Sequence, residues 1–380
     1  MLKILFSGIC LGASALCFAD VHEAPILKNN LEQVRARGIS IVPLPKRIEF
    51  AAPAYPERVV ISGSENQPFF KIICEELQSR FEELKSPVKV QISGKPEAGA
   101  YNIIIKDTFS RPAGLPRLAD GCEDQLYTLT PIRNGIELAG AKDALYAAVT
   151  LRHLIVREKG RTAIYPAKVT DWPDFPVRAI SLSEPFLRRH LNNPEQYAKY
   201  TKPLIRRLLR LKINEIRGLP RRPQKSALRL FSTGPLMNET DLNAMRAFRA
   251  NAAECGMLCG QLEKFFSLGS KQDEQNPFFK NFNQKSRWGS SGHYHSWART
   301  DLYEKIAARC HDFLKQSEWD ILFVHGVDTG GTLDPELWSH RDEPTRKRFG
   351  DDRAAADAAV FMELYKAMKV AMVKESRCKL

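Results

Sequence analysis

An apolar run, Ile321, Leu322, Phe323 and Val324, leads into His325, Asp328, Thr329, Gly330 and Gly331, and two more acids, Asp334 and Glu336, precede Trp338. Four apolar residues without polar alternation are the pattern of a parallel strand covered on both faces. Parallel sheets and barrels keep their chemistry at the carboxyl ends of the strands, which is where Asp328 falls. The paired glycines let the backbone turn sharply or approach a ligand closely, and the Trp338 ring offers an apolar face of the kind on which sugar rings stack. The same residues also read as an ordinary strand exit with Asp328 in a turn.

The elements that must position this stretch fall into two groups. The spacing predicts strands over Arg58 to Ser62, Val88 to Ile92 and Tyr101 to Ile105, and a helix over Phe69 to Leu84 with Phe70, Ile73, Leu77 and Phe81 on one face. Tyr127, Leu129, Ile136 and Leu138 alternate about Asn134-Gly135, a hairpin signal, and a helix over Asp143 to Val156 follows. Pro166 to Pro176 reads as a boundary. Beyond it strand and helix alternate: Ala179 to Ser183, helix Pro194 to Leu211, Ile213 to Gly218, helix Glu239 to Cys255, Met257 to Gly260, helix Asp301 to Gln316, and the strand ending at Gly326. A last helix starts near Arg353. The expected class is α/β, with a small N-terminal α/β domain over 41–170 and a partial (β/α)8 barrel of about four βα units over 175–380. Phe266 to Thr300 reads as a long loop carrying Trp288, His293, Tyr294, His295 and Trp297.

Residues 1–19, with Lys3, an apolar run to Phe18, and Ala19 before Asp20, have the form of a secretory signal. The run is too short to cross a bilayer, so no stable membrane span is expected after cleavage, and the chain is expected to be secreted or periplasmic. In an oxidising space Cys74, Cys122, Cys255, Cys259, Cys310 and Cys378 could form bridges, though six cysteines in so long a chain are not a disulfide scaffold. Cys255 and Cys259 have no second cysteine pair to complete a zinc site, and no nucleotide loop or serine elbow is present, so neither metal nor cofactor is expected.

Fifty-seven Lys and Arg against 44 Asp and Glu give a net charge of +13, with clusters at Arg188, Arg189, Arg206, Arg207, Arg210, Arg221, Arg222 and Arg346 to Arg348. No nucleic-acid motif accompanies them. The two readings are an anionic glycan partner and a solvated basic face.

Three segments carry a family resemblance: IVPLPKRIEF (Ile41 to Phe50), YTLTPIRNGIELAGAKDALYAAVTLRHLI (Tyr127 to Ile155) and VTDWPDFPVRAI (Val169 to Ile180). With LRLKINEI (Leu209 to Ile216) and its Lys-X-Asn, the chain resembles the family 20 glycoside hydrolases, the β-N-acetylhexosaminidases. That resemblance implies an N-terminal α/β domain ahead of a (β/α)8 catalytic barrel. It implies a sugar-hydroxyl contact for Arg178, whose alternative is an ion pair inside the barrel. The family's fourth strand ends His-X-Gly-Gly-Asp-Glu, the aspartate orienting the substrate's acetamido group and the glutamate acting as general acid. Aligned on Asp328, the six positions here are Val324, His325, Gly326, Val327, Asp328 and Thr329, so the aspartate is present and the glutamate is a threonine.

A threonine cannot donate a proton to a leaving alkoxide as a raised-pKa carboxylic acid can. The resemblance therefore implies an exported glycosidase of N-acetylhexosamine glycans, retaining and substrate-assisted, with Asp328 as orienting group and Asp334 or Glu336 as proton donor. His325, Trp297 and Trp338 would contact the sugar. Asp334 and Glu336 also read as solvated helix caps, and His325 as a structural residue. The competing readings are a non-catalytic glycan-binding relative and a truncated, inactive barrel fragment whose open strand edges would favour oligomers.

Overall fold

The computed structural model describes residues 23–182, 193–217, 239–264, 320–325 and 343–373, together with isolated positions between 298 and 339. The proposed signal over 1–19, almost all of the loop 266–300, and the segment 326–337 lie outside the described residues.

Helix α1 (Glu23–Ala36) and strand β1 (Arg47–Phe50) precede the expected first strand. Asn30 ties them together by donating to the carbonyls of Pro45 and Lys46. Strand β2 (Arg58–Ser62), helix α2 (Phe70–Glu83), β3 (Lys89–Ser93) and β4 (Tyr101–Ile105) follow within a residue or two of the sequence expectation. Strands β5 (Tyr127–Ile132) and β6 (Gly135–Gly140) form the expected hairpin, with Asn134 in the left-handed region at φ 55°. Helix α3 (Leu145–Leu154) is shorter than predicted, because Ile155 turns extended and begins a hairpin of β7 (Ile155–Glu158) and β8 (Arg161–Ile164). Strand β9 (Ala167–Asp171) occupies the proline-rich stretch that reads as a boundary in the sequence. Its place is internal, between β1 and β5.

These strands, apart from β7 and β8, make one seven-stranded sheet in the order β1, β9, β5, β6, β4, β2, β3. The β3, β2, β4 and β6 side is parallel, and the β6, β5, β9 and β1 side antiparallel. Phe70, Ile73, Leu77 and Phe81 are buried as their spacing predicts, and α2 and α3 pack against each other and the sheet.

The second sheet is parallel, with its strands in chain order: β10 (Ala179–Ser181), β11 (Glu215–Arg217), β12 (Leu258–Lys264) and β13 (Ile321–His325). Helix α4 (Pro194–Arg210) joins β10 to β11, and α5 (Glu239–Glu254) joins β11 to β12. This is the repeated strand–helix unit the alternation predicts. Helices α6 (Glu343–Phe349) and α7 (Arg353–Val373) follow. No helix among the described residues is long and apolar enough to cross a membrane. One contiguous core runs from the first sheet through α3, α4 and α5 to Ile216 and Cys259 of the second.

Helix endings set how the strands leave the helices. Pro194 follows Asn193, whose side chain accepts from Gln196 N at 3.1 Å and caps α4. At the other end Lys212 N donates to Leu209 O and Ile213 N to Leu208 O, the paired bonds of a Schellman ending. The left-handed position that glycine usually fills is Lys212, at φ 56°. Helix α5 ends the same way with Gly256 at φ 69°. A left-handed lysine costs roughly 1–2 kcal/mol, so its side chain must be held by something worth more.

Candidate active site

What holds Lys212 is a buried polar network between the two sheets. Its Nζ donates to Asp171 Oδ2 at 2.9 Å and to Tyr127 Oη at 2.6 Å. Tyr127 donates to the same Asp171 oxygen at 2.6 Å and therefore accepts from Thr150 Oγ1, also at 2.6 Å. Asp171 Oδ1 accepts from Lys46 N at 3.0 Å. Burial pushes the Tyr127 phenol well above its ordinary range, and the neighbouring Asp171 charge adds to that. Burial lowers the Lys212 ammonium, against the pull of Asp171.

Two residues on, Asn214 completes the junction. Its Oδ1 accepts from Arg178 N at 2.7 Å, and its Nδ2 donates to Pro176 O at 2.8 Å. Arg178 Nε donates to Lys212 O at 2.7 Å and Nη1 to Phe175 O at 3.1 Å, while its guanidinium lies 5.3 Å from the Tyr146 ring centre. Backbone and side-chain contacts at 176, 178, 212 and 214 thus seat β10 beside β11, pairing Ala179 with Glu215 and Ser181 with Arg217.

The carboxyl ends of the four strands are uneven. Ser181, Arg217 and Gly260 share a row, and Leu182 N donates to Arg217 O beyond it. Strands β12 and β13 continue four residues past that row, to the pair Lys264 and His325, roughly 13 Å further. Asp320 anchors the start of β13: its carboxylate accepts from Arg249 Nη2 at 2.8 Å and from Cys259 N at 3.0 Å. Of the acids in the 320–338 stretch, this one is committed to framework.

No family sequence model matches the chain, and no curated protein matches it by sequence. Solved structures do match in fold. The Flavobacterium johnsoniae chitobiase superposes with a TM-score of 0.61 at 16% identity, over 88% of this chain and 52% of that one. The fold is that of the family 20 glycoside hydrolases. The family 20 exo-β-N-acetylglucosaminidase of Vibrio harveyi, solved with N-acetylglucosamine, gives a TM-score of 0.55 at 15% identity, covering 87% and 53% of the two chains. A Bacteroides fragilis β-N-acetylhexosaminidase gives 0.54 at 14%, covering 87% and 64%. The chain spans about half the length of the first two. At these identities the likeness to family 20 is one of fold.

Within that fold the residues singled out from sequence have different standings. Asp328, Asp334, Glu336 and Trp297 lie outside the described residues, as does the side chain of His325, whose backbone ends β13. Arg178 stands at the amino end of β10, hydrogen-bonded to two carbonyls. Trp338 is 8% exposed and belongs to the core. The basic clusters need correction in one place. Arg206 and Arg210, taken from sequence as surface charge, close on acids of α2: Arg210 Nε lies 2.8 Å from Oε2 of the buried Glu76, and Arg206 pairs with Glu76 and with the more exposed Glu75. Arg188, Arg189, Arg221 and Arg222 lie outside the described residues. Cys74, Cys255 and Cys259 are buried free thiols rather than halves of bridges, and burial pushes Cys74 up to about 12 and Cys255 to about 11.

The Lys212, Asp171 and Tyr127 network was not foreseen. Its members sit in separate segments that carry the resemblance: Tyr127 in Tyr127 to Ile155, Asp171 in Val169 to Ile180 and Lys212 in Leu209 to Ile216.

Proposed function

We propose that the chain is an exported glycoside hydrolase of N-acetylhexosamine-containing glycans, working by substrate-assisted retaining hydrolysis, with an N-terminal α/β unit over 41–170 and a barrel-type unit over 175–380. The supporting observation is the parallel pairing of β12 with β13, which ends at His325 and sends the chain toward Asp328 from a carboxyl end. The names of the structures sharing the fold, a chitobiase and β-N-acetylhexosaminidases, indicate the substrate class.

In this reading the substrate's acetamido oxygen attacks the anomeric carbon and the aglycone leaves with its bonding electrons. Asp328 orients the amide and balances the positive charge of the cyclised intermediate. Thr329 cannot protonate the leaving oxygen, so Asp334 or Glu336 supplies that proton, and the resulting carboxylate then takes one from the water that reopens the ring. His325 and Trp297 contact the sugar. Arg178 and Trp338 act through the framework, since the guanidinium is already hydrogen-bonded at the junction and the indole is packed in the core.

The test is release of aryl alcohol from aryl N-acetylglucosaminides by the full chain. Turnover that Asp328→Ala abolishes supports the reading; a wild-type protein that neither cuts nor binds any N-acetylhexosaminide ends it. A second reading, a glycan-binding relative, is favoured by the threonine at 329. Calorimetric sugar binding without turnover would establish it in place of the first.

A further inference from the structure

The first sheet ends on one side at β3, whose one strand partner among the described residues is β2. In that parallel ladder Lys89 N donates to Glu57 O at 3.0 Å, and the alternation of the strand turns the backbone groups of Lys89, Gln91 and Ser93 toward β2. Val90 and Ile92 turn theirs the other way, so their N–H and C=O groups line an edge left unpaired among the described residues. Their side chains share the face of Val59 and Ile61, on which α2 packs. Val90 lies partly against that core, while Ile92 is 42% exposed. An exposed apolar side chain beside open backbone groups is the chemistry of strand addition.

What flanks the edge decides which strand fits it. A second β3 offers the same short run with the same outward groups. Set antiparallel about a two-fold axis at Gln91, Val90 of each copy faces Ile92 of the other and exchanges both backbone hydrogen bonds with it, and two β-branched pairs meet on the apolar face. Lys89 then stands opposite Ser93. The neighbouring registers are worse. Centred on Val90, the pairing brings Ile92 against Val88, whose N–H already donates to Ser86 Oγ at 3.2 Å. Centred on Ile92, it sets the exposed Lys89 opposite the exposed Lys95, and like charges directly opposite destabilise a sheet. Hydrogen bonding and charge thus select one register.

We propose that the β3 edge is a surface for a second copy of this chain: two molecules join their first sheets, antiparallel, about a two-fold axis through Gln91, into one continuous sheet. This does not depend on what the second sheet does. It is tested on the full chain by sedimentation velocity over a range of concentrations and by cysteine cross-linking at the axis.

Wild type is expected to pass from monomer to dimer as concentration rises. Val90→Pro removes an outward N–H from each copy without touching the ladder to β2, a position where an edge strand tolerates proline. Ile92→Lys sets a charge against an apolar pair at a site that is already exposed, and it serves where Val90→Pro does not fold. Each is expected to raise the concentration of half-dimerisation about tenfold or more, with thermal melting to check the fold. Gln91→Cys reads the register. Across the axis its two Cα atoms stand about 4.5 Å apart, within disulfide reach, so mild oxidation links the copies. Lys89→Cys, exposed on the same face, stands roughly 14 Å from its counterpart and is expected not to link. A wild-type chain that stays monomeric throughout, as it would if the edge served a foreign peptide, overturns the proposal. So does a dimer that both folded variants leave unchanged, or one that Gln91→Cys fails to cross-link.

Discussion

Lys212 Nζ lies 2.9 Å from Asp171 Oδ2, joining the end of α4 to the last strand of the first sheet across 41 residues of sequence. Both groups are more than nine-tenths buried, and each is the other's compensating charge. The contact carries a mechanical consequence, because the residue that makes it also sets the turn into β11.

Lys212→Met leaves Asp171 buried without its cation and is expected to cost about 3–5 kcal/mol. Asp171→Asn in the same background costs less than it does alone, since the partner is already absent. Equilibrium urea unfolding of the two single variants and the double variant measures this; additive losses would show that the ion pair is not the coupling.

Arg178 separates two roles by experiment. As a junction residue donating to Lys212 O and Phe175 O, its replacement by alanine lowers stability by about 1.5–3 kcal/mol, the range for hydrogen bonds to charged groups. As a sugar contact it would raise KM and leave the melting temperature alone. Melting and kinetics on one preparation decide between them.

Glu76 collects three arginines from two helices: Arg152 of α3, and Arg206 and Arg210 of α4. Arg152 also donates to the Glu76 carbonyl at 2.7 Å and pairs with Glu83. Glu76→Gln leaves these cations facing one another in a buried site, and a loss of about 3–5 kcal/mol is expected. A change within experimental error in urea unfolding would mean that Glu75 and Glu83 suffice.

His153 gives a dependence on pH. Burial holds its imidazole below the ordinary 6.5, and Lys212, Arg152 and Arg80 push the same way, against the contact of Nε2 with Arg210 O at 3.4 Å. A depressed folded pKa means that the unfolded chain takes up the proton first. The neutral ring's contribution is complete above 6.5 and is lost as the pH falls toward the lower folded value. Glu83, whose burial is outweighed by its arginine partners, stays below 4.5 and so contributes no change until more acidic conditions. Urea midpoints at about pH 7.5 and about pH 5.5 are expected to differ in wild type and to converge in His153→Gln.

Local chemistry was legible in the chain. The stripe Phe70, Ile73, Leu77 and Phe81 predicted α2, Asn134-Gly135 predicted the β5 to β6 hairpin, and the alternation after Ala179 predicted a parallel sheet with intervening helices. These follow from periodicity and turn preference, which depend on near neighbours. Partnerships across the fold did not follow. A paired lysine or arginine has the same letter as a solvated one, so Arg206 and Arg210 read as surface charge although Glu76 stands beside them, and nothing local in the sequence marks Lys212 as the partner of Asp171. Strand β9 was hidden because proline-rich flanks mark a boundary locally, whereas its pairing with β1 and β5 is made by residues more than thirty positions away. The inward face of β11 has the same origin. Two polar residues flanking Ile216 are a period-two pattern in sequence, and only the packing of α4 and α5 on one side of the sheet decides which way that pattern points.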